Sequence, residues 1–167
     1  MIKTGILYHE DYLKHDTGDH VENKKRLIAT VDLLNEYSVF EHPNIVKISP
    51  NPAPIEEIQR VHKEFYIEKV KEKCLSGGGW LDADTLVSPD SYNVALLAVG
   101  GAIQAGEMVI KGEIDNAFCL IRPPGHHAGP GTARGFCLFN NIAIVARSLI
   151  ARFEEVNKVL IFDHDAH

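Results

Sequence analysis

Short apolar runs alternate with helical patterns along the chain, an arrangement typical of an α/β protein with a mainly parallel sheet. The apolar runs predict strands at 4–9, 45–49 and 116–122, with a fourth that begins at 158 and leads into "DHDAH". Apolar residues at three- and four-residue spacing predict helices over 21–37, within 53–79, from 88 to about 112, and over 140–153. We therefore expect a single domain over 1–167, an open sheet flanked by helices.

The longest apolar stretch, residues 92–110, is interrupted by polar side chains, including Asn93 and Glu107. We interpret it as a buried helix and expect no membrane span. Ser88 is expected to cap this helix, with Pro89 in its first turn. Gly100 and Gly101 lower helix propensity, so the sequence predicts that a neighbouring segment packs closely against them.

Charge and cysteine usage narrow the class of protein. The net charge is −6, and lysines and arginines are mixed with acids, which argues against direct binding of nucleic acid. The three cysteines are far apart and form no C-x-x-C pair, so neither a disulfide framework nor a cysteine zinc site is indicated. A reducing, cytoplasmic location fits this usage best.

Polar clusters follow two of the predicted strands. "PPGHHAGPG" comes after the strand at 116–122, and "DHDAH" ends the run that begins at 158. Ligands of open α/β sheets collect at the carboxyl ends of strands, so both clusters are expected on the same rim. In an extended segment Asp163, Asp165 and His167 face one side. A carboxylate and an imidazole there could hold one divalent cation, with the third group orienting a neighbouring histidine.

Each of these residues also has an ordinary interpretation. Polar side chains after a strand are common at a solvated surface, and loop histidines often bond to the backbone. Cys137 reads first as a small packing residue, and Asp84 as a turn acid. His9 and His62 are expected to bond to backbone groups, while His20 and Arg26 lie where a helix begins and solvated polar residues are usual.

The combination of "RPPGHHAGPGTARGFCLFNN" with "VLIFDHDAH" closely resembles the zinc-dependent histone deacetylase family, in particular its class II-like and acetylpolyamine amidohydrolase members. "YHEDYLKHDTGDHVENKKRL", "IQRVHKEFYI" and "DADTLVSPDSYNVALLAVGGAI" extend the resemblance over nearly the whole chain. The double histidine with G-F-C is its specific part. The resemblance implies the arginase/deacetylase α/β fold and removal of acetyl or acyl groups from lysine peptides or polyamines.

The resemblance also implies roles for individual residues. Asp165 and His167 resemble two of three zinc ligands, and Asp163 the carboxylate partner of His126. His127 resembles the general base or acid, and His126 the histidine that helps to position and stabilise. Four further positions resemble substrate-binding or product-exit residues: Asp84 at the rim, Gly135 and Phe136 in the acyl-lysine tunnel, and Arg26 near the internal acetate exit. Backbone carbonyls around 163–167 would form a K⁺ site.

Two departures from the family pattern qualify the resemblance. The usual H-P-E is here "HVE" (His20 to Glu22). The family's third zinc ligand and catalytic tyrosine would lie after His167, so we expect residues 1–167 to be the N-terminal portion of a deacetylase domain. The sheet is then expected to be incomplete at its C-terminal side, with an exposed edge and apolar surface.

Other interpretations remain at this point. The chain could be a non-catalytic fragment or interaction module of the same family. "DAH" also resembles two-manganese ureohydrolase motifs, although the P-P-G-H-H loop argues against that class. The resemblance leaves open a homo-oligomer or association with the missing C-terminal portion of the domain.

Overall fold

A computed structural model describes residues 1–166. The strands are β1 (Thr4–Leu7), β2 (Ile45–Ile48), β3 (Gly79–Trp80), β4 (Leu86–Val87) and β5 (Asn116–Cys119). The helices are α1 (Lys25–Glu36), α2 (Ile55–Ile58), α3 (Glu64–Leu75), α4 (Ser91–Ile110) and α5 (Asn141–Arg152). Short 3₁₀ helices occupy Glu10–Lys14 and Val39–Glu41. Strands and helices alternate over most of this length, as the hydrophobic pattern predicts.

The main sheet is parallel, with the order β2-β1-β5. Thr4 at the start of β1 pairs with Ile45 of β2 and with Asn116 of β5, so the three strands begin level with one another. Their carboxyl ends consequently lie on one rim. β3 and β4 form a separate antiparallel hairpin, which the sequence pattern did not predict. The mainly parallel sheet flanked by helices confirms the predicted fold class.

Helix α4 forms the centre of the core. It packs against α5, β5, β1 and α3, and a buried apolar cluster joins it to β1 and α1 through Ile6, Leu27 and Ala98. By length and composition α4 could cross a membrane, but 50% of its apolar window is buried inside the fold, as expected of a core helix.

The glycines of α4 allow the close packing that the sequence predicts. A Cβ on Gly100 would lie 1.9 Å from the carbonyl oxygen of Asn51, and one on Gly101 would lie 2.8 Å from a methyl group of Leu7. Both distances are too short for a carbon atom, so any side chain at these positions would push the helix away from its neighbours.

Several local predictions were wrong. Residues 158–166 form no strand and are exposed, because a strand needs a neighbour for backbone hydrogen bonds and no segment within 1–166 pairs with them. Ser88 does not cap α4; its hydroxyl donates to the Lys14 carbonyl instead. Helix α1 begins at Lys25 and not at 21, since the Asn23 side chain accepts from the Lys25 amide and ends the preceding turn.

An exposed edge and apolar surface were also predicted, and the described residues contain both. β5 is an outer strand of the sheet, and Phe118 within it is 55% exposed. In the segment after α5, Leu160 is 92% and Phe162 is 85% exposed. These side chains would ordinarily be covered in a folded domain.

Candidate active site

The paired histidines lie in the loop between β5 and α5, at the carboxyl end of β5. Gly125 allows this loop to approach the start of α5, because a Cβ there would lie 2.3 Å from the Phe139 carbonyl oxygen. The rings of His126 and His127 have centroids 4.1 Å apart and planes inclined at 44°. The proline and glycine loop therefore holds two imidazoles side by side.

The acidic segment at 163–165 lies against the histidine loop. Asp163 Oδ2 is 2.9 Å from His126 Nδ1, and Asp163 Oδ1 accepts a hydrogen bond from the Asp165 amide. The Asp165 amide and the His126 ring lower the pKa of the exposed Asp163 carboxyl. The two polar clusters thus meet on one rim of the sheet, although the segment that carries Asp163 is not a strand.

A cavity of about 590 Å³ gathers most of the predicted site residues. Its lining comprises Glu22, Arg26, Asp84, Pro124, His126, His127, Gly135, Phe136 and Asp165. Seven of these positions were proposed from the sequence. Asp163 reaches the same place through its bond to His126. His167, the other proposed metal ligand, lies outside the described residues.

Gly135 and Phe136 form a left-handed turn in the cavity wall, with φ angles of 55° and 69°. The turn is held by the hairpin loop, because the Gly135 amide donates to Asp84 Oδ1 at 3.1 Å and the Phe136 amide donates to Thr85 Oγ1 at 3.2 Å. A Cβ on Gly135 would lie 2.5 Å from His127 Cδ2. Glycine is therefore required where the His127 ring packs against this turn.

His20 has a role that the sequence did not indicate. Its ring stands edge-on to Phe136, with centroids 4.7 Å apart, and Trp80 packs on it at 5.9 Å. His20 Nδ1 accepts from the Glu22 amide, which fixes the ring. His20 is thus half-buried against the aromatic wall of the cavity, a contact that the sequence did not indicate.

A buried ion pair underlies the cavity floor. Arg122 is fully buried, and its Nε and Nη2 donate to the two Glu22 carboxylate oxygens at 2.7 and 2.8 Å. Burial alone would raise the pKa of Glu22, but the hydrogen bonds and charges of Arg122 and His15 together outweigh burial and lower that pKa to about 2. Buried His15 lies 3.6 Å from Glu22, and burial lowers the His15 pKa. The sequence analysis did not predict this ion pair. The one feature that could have indicated it is an arginine, Arg122, at the end of the apolar run 116–122.

Other histidines and the cysteine behave as the ordinary interpretations predicted. His9 Nδ1 accepts from the Asp11 amide, and His62 Nε2 accepts from the Asn140 amide. Cys137 is fully buried, and burial raises the pKa of its thiol to about 11. Cys137 is therefore a protonated packing residue and not a nucleophile at neutral pH.

The metal-binding capacity of the described residues is partial. Within residues 1–166, no three histidine, cysteine or acidic side chains lie close enough together to hold a metal ion. Asp165 does line the cavity beside the paired histidines. A carboxylate in that position has the donor chemistry that Zn²⁺ accepts.

Comparisons with known proteins agree with this arrangement. Residues 20–167 match the histone deacetylase domain family, and the chain belongs to that family. A probable deacetylase of Archaeoglobus fulgidus is 42% identical over 98% of this chain. A histone deacetylase-like amidohydrolase of Pseudomonas aeruginosa is 40% identical over 87% of it. The crystal structure of the HDA15 HD domain superposes on 92% of the chain with a TM-score of 0.85 and 30% identity.

The chain spans about half the length of the relatives it matches, or less. It covers 45% of the archaeal protein, 37% of the bacterial protein and 45% of the HDA15 chain. Polyamine deacetylase HDAC10 of Homo sapiens is 32% identical over 98% of the chain, which covers 26% of that protein. Family membership favours the deacetylase interpretation over a two-manganese ureohydrolase.

Proposed function

We propose that the protein carrying this chain is a zinc-dependent amidohydrolase that removes acetyl or other acyl groups from amines. The observation that carries the proposal is the His126–His127 pair on the cavity wall, with Asp163 2.9 Å from His126. Membership of the histone deacetylase family supports the same reaction class.

Amide hydrolysis requires one proton to leave the attacking water and one to reach the departing amine. Imidazoles suit this work near neutral pH. We assign the proton transfers to His127, whose ring is packed against Gly135 in the cavity wall. His126 has its Nδ1 engaged by Asp163, so its proton exchange would use Nε2. A carboxylate in that place orients the ring and stabilises its protonated form.

Asp165 and His167 are the proposed zinc ligands within this chain. Asp165 fits this role because it lines the cavity and carries a carboxylate. Bound Zn²⁺ would supply Lewis acidity toward the acyl carbonyl and the water. We further propose that backbone carbonyls around 163–167 contribute to a K⁺ site. The cytoplasmic location stays a prediction.

The cavity also suits an acylated amine on a flexible chain. Phe136 offers an aromatic wall, and Asp84 places a carboxylate at the lining. The net charge of −6 favours cationic partners over anionic ones. We propose acetylpolyamines, which keep at least one protonated amine, or acetylated lysine peptides with further basic residues as substrates.

The test is turnover by the natural protein of a fluorogenic acetyl-lysine peptide and of acetylspermidine, with zinc measured in the same samples. We expect activity that a chelator abolishes and Zn²⁺ restores. His127→Ala should lower turnover far more than zinc content. Equal loss of both would mean that His127 is a ligand. A folded, zinc-free protein without turnover on either substrate would overturn the proposal in favour of a non-catalytic interaction module.

A further inference from the structure

Asn140 links the histidine loop to the start of α5. Its side-chain Oδ1 accepts from the Ala143 amide at 3.1 Å and so caps the helix. Its side-chain amide donates to the carbonyl oxygens of His126 at 3.3 Å and Ala128 at 3.1 Å. These two carbonyls belong to the residues directly before and after His127. One side chain therefore joins the cap of a core helix to the backbone on either side of His127.

The backbone of Asn140 is fixed in turn by a hydrogen bond to His62. The Asn140 backbone amide donates to His62 Nε2 at 2.8 Å. His62 is only 2% exposed and packs against the rings of Tyr66 and Phe139. Burial lowers the pKa of His62 to about 4, so at neutral pH the ring is uncharged and Nε2 is a hydrogen-bond acceptor. The Tyr66 hydroxyl donates to the Leu138 carbonyl at 2.6 Å, which fixes the same stretch of backbone.

We propose that Asn140 is a positioning residue for the paired histidines, fixed in turn by His62. Its side-chain amide sets the backbone of 126–128 and thereby the placement of the two rings relative to the cavity. The catalytic consequence rests on the proposed function, whereas the structural consequence does not. A displacement of about 1 Å in a reacting group can lower a rate about 100-fold.

A purely structural role, as the cap of α5, is separable from positioning. Aspartate is as good a cap as asparagine, because it keeps the oxygen that accepts from the Ala143 amide. Asn140→Asp should therefore preserve α5. The same change replaces the amide donor by a carboxylate oxygen that faces two carbonyl oxygens, so both bonds to the histidine loop are lost.

The experiment compares Asn140→Asp with Asn157→Asp, which makes the same charge change at an exposed position where the side-chain amide donates to the nearby Glu155 carbonyl. Amide hydrogen exchange is followed in the loop, at Ala128 and Leu138, and within α5, at Ile144. In Asn140→Asp we expect exchange to accelerate roughly tenfold or more in the loop and to stay unchanged in α5. Uniform acceleration, or none, would overturn positioning.

Kinetics on the natural protein give the second readout. We expect Asn140→Asp to lower kcat about 10- to 100-fold with KM and zinc content nearly unchanged, and Asn157→Asp to match the unmodified protein. A kcat equal to that of the unmodified protein would overturn the catalytic consequence. If the unmodified protein has no turnover, the proposed function fails, and the exchange measurement still decides whether Asn140 positions the loop.

Variants of His62 provide an independent check. Glutamine can place an oxygen near the position of Nε2 and accept from the Asn140 amide, whereas leucine cannot. His62→Gln should retain slow loop exchange and most of kcat, and His62→Leu should lose both in the same pattern as Asn140→Asp. Equal behaviour of the two His62 variants would contradict a role for the hydrogen bond.

Discussion

Replacing Glu22 by glutamine removes the charge partner of Arg122 and nearly preserves shape. Arg122 is fully buried, and apart from Glu22 it donates only to the Tyr12 carbonyl among the bonds of the described residues. Breaking one side of a buried ion pair costs about 3–5 kcal/mol, because the remaining charge stays buried without compensation. We expect Glu22→Gln to lower the free energy of unfolding by that amount at pH 7.

The pKa of Glu22 gives a second way to express the stability that this ion pair contributes, through its dependence on pH. The pKa of Glu22 falls from an ordinary value of 4.5 to about 2 in the folded protein. At roughly 1.4 kcal/mol per pKa unit this corresponds to about 3 kcal/mol. Since the folded-state pKa is the lower one, this stability is present above pH 4.5 and is lost as the pH falls toward 2. In Glu22→Gln, the free energy of unfolding should therefore fall by about 3 kcal/mol less between pH 4.5 and 2 than in the unmodified protein.

The assay is urea unfolding followed by circular dichroism between pH 2 and 7. The control is Glu113→Gln, which changes an exposed glutamate and should alter stability by no more than about 0.5 kcal/mol. The reasoning would be refuted if the free energy of unfolding of Glu22→Gln lay within about 1 kcal/mol of that of the unmodified protein at pH 7 and fell with acid in the same way. In that case the Arg122 charge would have to be compensated by other groups.

Three further substitutions test the site and the core. Gly135→Ala places a Cβ against His127 at a φ of 55°, and we expect turnover to fall at least about tenfold with zinc retained; unchanged kcat would contradict the packing. Asp163→Asn removes the carboxylate beside His126 and should lower kcat about 10- to 100-fold, whereas an effect on KM alone would exclude the orienting role. Gly100→Ala meets the Asn51 carbonyl and should destabilise by about 1–3 kcal/mol in thermal unfolding, while a raised Tm would show that the helix can shift.

The predictable part of the fold depends on local pattern. Periodic apolar residues located α3, α4 and α5 because burial of one helix face recurs every three to four residues. Spacing alone does not decide which residues of a short helix are buried, since Phe65 lies among the apolar positions of α3 and is 61% exposed. The run at 158–163 is apolar enough for a strand, but strand formation depends on a partner elsewhere in the chain.

The site residues also fall into those that the sequence could indicate and those that only the fold reveals. Residues within one motif, such as His126 and His127, could be singled out from sequence because their clustering is local. The Glu22–Arg122 pair could not, since its members are 100 residues apart and neither the HVE stretch nor the RPPGHH stretch indicates the other as its partner. The contacts of His20 could not be predicted for the same reason, because Trp80 and Phe136 are distant in the chain and only the fold brings them to its ring.

The exposed apolar segment after α5 governs how this chain behaves in solution. Leu160 and Phe162 face water almost completely, and the outer edge of β5 has no partner strand within residues 1–166. Contacts between molecules would remove both from water at little cost in ordering, so attraction should grow with concentration. For the chain as it stands, we expect light scattering and binding of a hydrophobic dye to rise together as its concentration increases.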